Sequence, residues 1–185
     1  MIAVGIGGGA IEVWDVPGRT KRVFAGHRFE VGSLAISPDR RLLVSSNGRE
    51  DPIVWDLASG TRVTTVPAMQ VTNVAFGTTG NELTTGSVNH GVHFWSIEGG
   101  EARQTSELPL QSPYAWDISA PLGDRIAVAD EYGLVTIWDI RRRMPVETYQ
   151  DRGRAETRAL ALGGDGTLLA TRSEEHTSEL QSRTL

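Results

Sequence analysis

Between Val31 and Asp56 the chain sets apolar Val31, Leu34 and Ile36 among small or polar residues and turns at Ser37-Pro38-Asp39-Arg40. It runs apolar again from Leu42 to Ser45, crosses a polar Gly-bearing turn, and closes on Ile53-Val54-Trp55-Asp56. Short runs bounded by turn formers predict antiparallel strands.

The closing pattern recurs as Ile11 to Asp15, Val92 to Ser96 and Val135 to Asp139. Trp14, Trp55, Trp95 and Trp138 therefore stand 41, 40 and 43 residues apart. The remaining runs repeat in step. First strands are predicted at Val31 to Ile36, Val71 to Phe76, a looser Tyr114 to Ser119, and Thr157 to Leu162. Second strands fall at Leu42 to Ser45, Glu82 to Thr85, Arg125 to Ala129 and Leu168 to Ala170. More polar fourth strands fall at Lys21 to Ala25, Arg62 to Val66, Arg103 to Leu108 and Val146 to Tyr149, as suits a sheet edge facing water. A period of about 40 to 45 residues ending in Trp is the signature of a four-stranded propeller blade.

Gly26-His27 with Trp55-Asp56, and the three further Trp endings at matching spacing, resemble the WD-repeat β-propeller family over residues 1–171. The implied fold class is all-β, an incomplete propeller of about three whole blades and two partial ones, with parts near 1–27, 28–67, 68–109, 110–150 and 151–171. The resemblance also implies a buried hydrogen-bonded set in each blade: a His before the first strand, a Ser or Thr in the second, an Asp before the third, and the Trp. His27, Ser45 or Ser46, and Trp55 supply three members in one unit, but Arg49 stands where the acid belongs and Asp51 fits only a shortened turn. Ser87 and Asn89 sit at the offsets expected before Trp95, with Pro67 near the His place; before Trp138 the corresponding residues are Asp130 and Tyr132. Cohesion is therefore expected to rest on apolar packing, with all four tryptophans buried, more than on that network.

The last copy departs from the period. Where a turn and a Trp-ended strand should follow Ala170, the chain reads RSEEHTSELQS from Arg172 to Ser182. That stretch resembles, residue for residue, an in-frame translation of a short-read sequencing adapter. Residues 172–185 are accordingly expected to be a non-native tail, with the sheet abandoned midway. Met1 enters in what the register makes a second strand, so the expectation at both ends is an open arc, unstable by itself.

The 185 residues carry net charge −5 and 39% hydrophobic side chains, ordinary for one globular unit. The dense basic run Arg141-Arg142-Arg143 falls in a predicted turn, so neither nucleic acid nor an anionic membrane is expected as a partner. Without cysteine there is no disulfide or thiolate chemistry. His90 and His93 are three apart, His27 is assigned to structure, and His176 lies in the tail, so no metal is expected. The Gly5 to Gly9 run lacks the Lys-Ser/Thr ending of a phosphate loop, and no nucleophile elbow is present. No cofactor or small-molecule substrate is expected.

What remains is surface. Family partners usually dock where loops enter the first strand and join the second to the third, which here offers Arg28, Phe29, Arg49, Met69, His90, Tyr114 and Tyr132 as partner-binding candidates. The expected function is non-catalytic presentation of a rigid face to a protein or peptide. The alternatives are a sensor or regulatory module of a larger kinase- or ATPase-linked protein, and an enzyme with a central-channel site, for which Asp117 is the sole inner-strand acid. Seventeen arginines against the single Lys21 suggest a GC-rich, bacterial genome, with a cytoplasmic location.

Overall fold

The computed structural model describes residues 1–110, 112, 114–150, 157–163, 168–173 and 181–184. Strands form five antiparallel sheets in chain order. The first holds β1 (Ile2–Ile6), β2 (Ala10–Asp15) and β3 (Thr20–Ala25); the second β4 (Ser33–Ile36), β5 (Leu42–Ser46), β6 (Ile53–Asp56) and β7 (Arg62–Thr65). The third is β8 (Val71–Phe76), β9 (Glu82–Ser87), β10 (Gly91–Glu98) and β11 (Glu101–Glu107); the fourth β12 (Asp117–Ile118), β13 (Arg125–Ala129), β14 (Leu134–Asp139) and β15 (Met144–Gln150). The fifth comprises β16 (Thr157–Gly163), β17 (Leu168–Ser173) and β18 (Gln181–Thr184). Each sheet's first strand neighbours the next sheet's, from β1 through β4, β8 and β12 to β16, which sets five blades in an open arc.

The strand pattern predicted from sequence holds, with two departures. β12 is only two residues long, because Trp116 and Ser119 bond the β13 backbone on either side while the Ala115 amide is taken by the Ser87 carbonyl of the third sheet. At the other end, β17 continues through Arg172 and Ser173, and β18 pairs with it antiparallel instead of leaving the sheet at two strands. Backbone pairing at an open edge asks only for extended chain, so it does not require the Trp-ended pattern of the other blades.

Four apolar clusters fill the four joints between successive sheets. Trp55 packs with Ile11, Val13 and Phe24 of the sheet before it; Trp95 with Val44 and Val54; Trp138 with Val92 and Leu108. Leu169 joins Ala127 and Ile137 at the last joint. In the second, third and fourth sheets the register between third and fourth strands slips immediately before the Trp, leaving Val63, Thr105 and Val146 as extra residues on the outer strand. A bulge increases the local twist and re-aims the neighbouring side chain. The first sheet has no such slip beside Trp14. Trp14 is also 40% exposed, contrary to the expected burial of all four indoles. No described sheet covers the face it shares with Ile2, Val4 and Val23; there the ring lies beneath Lys21 Nζ, 5.1 Å from its centroid, and donates to Glu12 at 3.2 Å.

The Gly26-His27 pair has a steric cause at its first position. A Cβ built on Gly26 would lie 2.7 Å from Trp55 Cη2, a distance that real Cβ contacts do not show. Gly26→Ala must displace the indole or the strand, and overpacking of this kind costs about 1–3 kcal/mol. Urea unfolding followed by tryptophan fluorescence should show the midpoint falling with the slope unchanged.

Candidate interaction face

The fullest polar arrangement among the described residues lies at the end of the second sheet. Leu43 is the cross-strand neighbour of Trp55, so Ser45, two residues on, shares its face. Trp55 Nε1 donates to Ser45 Oγ at 2.8 Å, and Ser45 Oγ lies 2.7 Å from His27 Nε2. The serine oxygen accepts from the indole and bonds one nitrogen of the imidazole, whose other nitrogen, Nδ1, lies 3.2 Å from Asn47 Nδ2 and 3.4 Å from Glu50 Oε2. Asn47 Nδ2 donates to the same carboxylate oxygen at 2.7 Å, and the Arg28 amide adds a third bond at 3.0 Å. Asn47 Oδ1 in turn accepts from the amides of Arg49 and Glu50, both at 2.9 Å, and so builds the turn that presents the glutamate.

Glu50 therefore occupies the acid's position, one that sequence reasoning left to Arg49 or Asp51. Both of those side chains are exposed. The signal that could have found it was the Asn47-x-x-Glu50 spacing, in which the amide side chain closes the turn and the longer glutamate reaches back. The bond from the Arg28 amide, then those from Asn47 and His27, hold the Glu50 carboxyl below its ordinary range against the cost of partial desolvation.

The third and fourth sheets lose this set stepwise. Trp95 Nε1 donates to Thr85 Oγ1 at 3.0 Å, not to Ser87, because the hydroxyl must lie ten residues before the Trp to share its face. Ser87 instead closes the loop by donating to the Met69 carbonyl at 2.9 Å, and Asn89 donates to Gln70 at 2.6 Å. Ten residues before Trp138 stands Val128, so the buried Trp138 Nε1 has no hydrogen-bond partner among the described residues. Asp130, expected in the serine place, accepts from the amides of Tyr132 and Leu134 at 2.8 and 2.9 Å. Twenty-eight residues before each Trp, His27 gives way to Pro67 and then to Leu110. Cavities open at those places: about 160 Å³ beside Pro67, Thr85 and His93, and about 480 Å³ beside Leu110, Val128 and Trp138.

The seven partner-binding candidates fall in three groups at the same end of three successive sheets. Arg49 stacks over the Phe29 ring at 4.9 Å beside Arg28; Met69 and His90 line the smaller cavity; Tyr114 and Tyr132 line the larger. Phe29, Met69 and Tyr132 are 42%, 67% and 65% exposed, whereas the strands beneath them are largely buried. His93 approaches Glu107 at 3.5 Å, and desolvation holds its imidazole below the ordinary value against that carboxylate's pull. Among the described residues no group of three metal-ligating side chains forms.

Asp117 joins two blades. Its Oδ2 accepts from the Leu160 amide of β16 at 2.8 Å, and burial raises its pKa to about 6.

A family profile described as WD domain, G-beta repeat matches residues 18–56, the segment that contains the complete polar set. The β-propeller domain of Cps50 (Swd1) from Myceliophteria thermophila superposes with a TM-score of 0.77, at 20% identity, over 92% of this chain and 58% of that one. Residues 18–56 thus match a WD repeat, within a chain that has the β-propeller fold. Among curated proteins it is 24% identical over 181 residues to eukaryotic translation initiation factor 3 subunit I of Drosophila ananassae, covering 91% of this chain and 56% of that protein. It is 32% identical over 104 residues to the 66 kDa stress protein of Physarum polycephalum, covering 52% of this chain and 17% of that protein. The chain thus spans only part of the length of these relatives. Both are eukaryotic proteins, in contrast to the bacterial origin suggested by arginine usage.

Ser45→Ala removes the acceptor of Trp55 and the hydrogen-bond partner of His27 Nε2 together, leaving two buried polar groups unsatisfied. Unfolding free energy should fall by about 2–3 kcal/mol, more than for Thr85→Val, where the indole of Trp95 is the group left. Chemical denaturation of both variants compares them directly.

Asp117 gives a pH signature. Its folded pKa lies above the ordinary 3.8, so its contribution is fully present below that value and is lost as pH rises through about 6. Asp117→Asn keeps the acceptor for Leu160 without the charge. Stability measured between pH 4 and 7 should fall less with rising pH in the variant, by on the order of 2 kcal/mol across the window.

Proposed function

We propose that this WD-repeat chain is a non-catalytic scaffold that presents one rigid face to a protein or peptide partner. The observation that carries this reading is the placement of Phe29, Met69 and Tyr132, large apolar side chains left exposed in loops at one end of three successive, otherwise well-packed sheets. Aromatic and methionine side chains supply interface anchors, because they desolvate a large area at modest entropic cost. Each is seated differently: Phe29 under Arg49, Met69 on a hydrogen-bonded loop, Tyr132 on the Asp130 turn. Preorganised anchors lose little freedom on docking.

Likeness to a protein that is by name a subunit of a translation initiation factor agrees with work inside an assembly. A channel enzyme needs converging acids or histidines on the inner strands, and Asp117 already serves the joint between blades.

The test compares partners bound by the chain and by two triple variants, using affinity capture with quantitative mass spectrometry and then titration of the recovered partner. Phe29→Ala/Met69→Ala/Tyr132→Ala should weaken binding at least a hundredfold, while Ile2→Ser/Val4→Ser/Val23→Ser on the open face of the first sheet leaves it unchanged. Equal binding by the loop variant, or loss only with the open-face variant, would place the partner elsewhere and end this reading.

A further inference from the structure

The cavity of about 480 Å³ at the fourth sheet is where the second sheet keeps its His-Ser-Trp-Glu set. Leu110 replaces the histidine and Val128 the serine, so apolar side chains now floor a space that opens to the loops. Two features separate it from a packing defect. Trp138, 7% exposed, lines it and has an indole N–H with no acceptor among the described residues, and the repeated strand register directs that group toward the position of Val128. The lining is also polarised. Tyr114, Tyr132 and Asp130 stand at the end where β14 begins, with Arg143 beyond the end where β14 stops. A strand of that length separates them by roughly 17 Å.

We infer that this cavity is the anchor pocket for a basic side chain, arginine foremost, carried on an extended segment of the partner. The inference rests on the scaffold reading and names the partner's chemistry at that same face. The tyrosine rings offer faces to a guanidinium, whose planar, weakly hydrated head stacks more readily than an ammonium. Asp130 spends Oδ1 on the Tyr132 and Leu134 amides and so holds its carboxylate charge at the cavity wall. The apolar floor takes the methylene stem, as arginine stems lie along hydrophobic surface while the head stays polar. A main-chain carbonyl of the same segment supplies the acceptor that Trp138 lacks, and further carbonyls or an acidic residue meet Arg143. The setting is acidic as well as aromatic: Glu131, then burial, Asp130 and Tyr114, hold the Tyr132 phenol above its ordinary range.

The chain has three tyrosines, Tyr114, Tyr132 and Tyr149, which makes the test direct. The full chain, labelled on tyrosine rings and tryptophan indoles, is titrated by NMR with acetyl-Ala-Arg-Ala-amide, with the same peptide carrying citrulline, and with its glutamine counterpart. The arginine peptide should move the Tyr114, Tyr132 and Trp138 signals and leave Trp55 in place, and the two neutral peptides should bind at least tenfold more weakly. Asp130→Asn keeps the turn acceptor and removes the charge; it should lose at least tenfold toward arginine only. Tyr132→Phe should retain binding and Tyr132→Ala lose it. Equal affinity for arginine and citrulline overturns the basic chemistry, and no movement of the pocket signals overturns the site. If the pocket is silent while the Phe29, Met69 and Tyr132 loop variant still loses its partner, the scaffold reading stands and this inference alone fails.

Discussion

Every joint between successive blades from the first to the fourth is closed by one tryptophan reaching back to the sheet before it. Burying an indole removes about 150–250 Å² from water, roughly 4–6 kcal/mol before entropy. Sheets of three or four strands, each with one apolar face toward either neighbour, have no stability apart from those joints. The outer-strand bulges serve the same contact, since they appear beside Trp55, Trp95 and Trp138 and are missing beside Trp14, which packs against no other described sheet.

The polar set is a refinement of that packing and not its cause. It is complete at Trp55, reduced to a single bond at Trp95 and gone at Trp138, yet all three tryptophans are buried. A hydrogen bond contributes about 0.5–1.5 kcal/mol net, less than the ring's own burial. Losing the set therefore leaves the blade standing and frees space. The cavities beside Pro67 and Leu110 are the direct consequence of removing an imidazole from a site whose backbone stays put. Repetition gives such a fold many equivalent positions, and each blade that relinquishes its structural side chains gains a recess on the loop face.

That recess connects stability to function. In the second sheet the loop face is held rigid by Asn47 and Glu50, and its anchor Phe29 stacks against an arginine from the neighbouring turn. In the fourth sheet the same face is held by Asp130 and by Gln150, which donates to the Tyr132 carbonyl, and its tyrosines line the cavity. A partner lying across both meets a firm ridge and a pocket, which is the form in which a few deep anchors dominate a larger contact area.

The blades were legible from sequence because strand alternation, turn chemistry and a Trp every 40 to 43 residues are local signals repeated four times. β8, β13 and β6 stand at the predicted residues for that reason. Which hydroxyl meets which indole was not legible, since loop length hides the cross-strand register: counting eight back gave Ser87 and Asp130, where pairing across the ladder gives Thr85 and Val128. Glu50 escaped because its place depends on how Asn47 folds the turn. The exposure of Trp14 and the recess beneath Trp138 belong wholly to the tertiary structure. A side chain's identity states how much apolar surface it brings; only the neighbouring sheet decides whether that surface is covered.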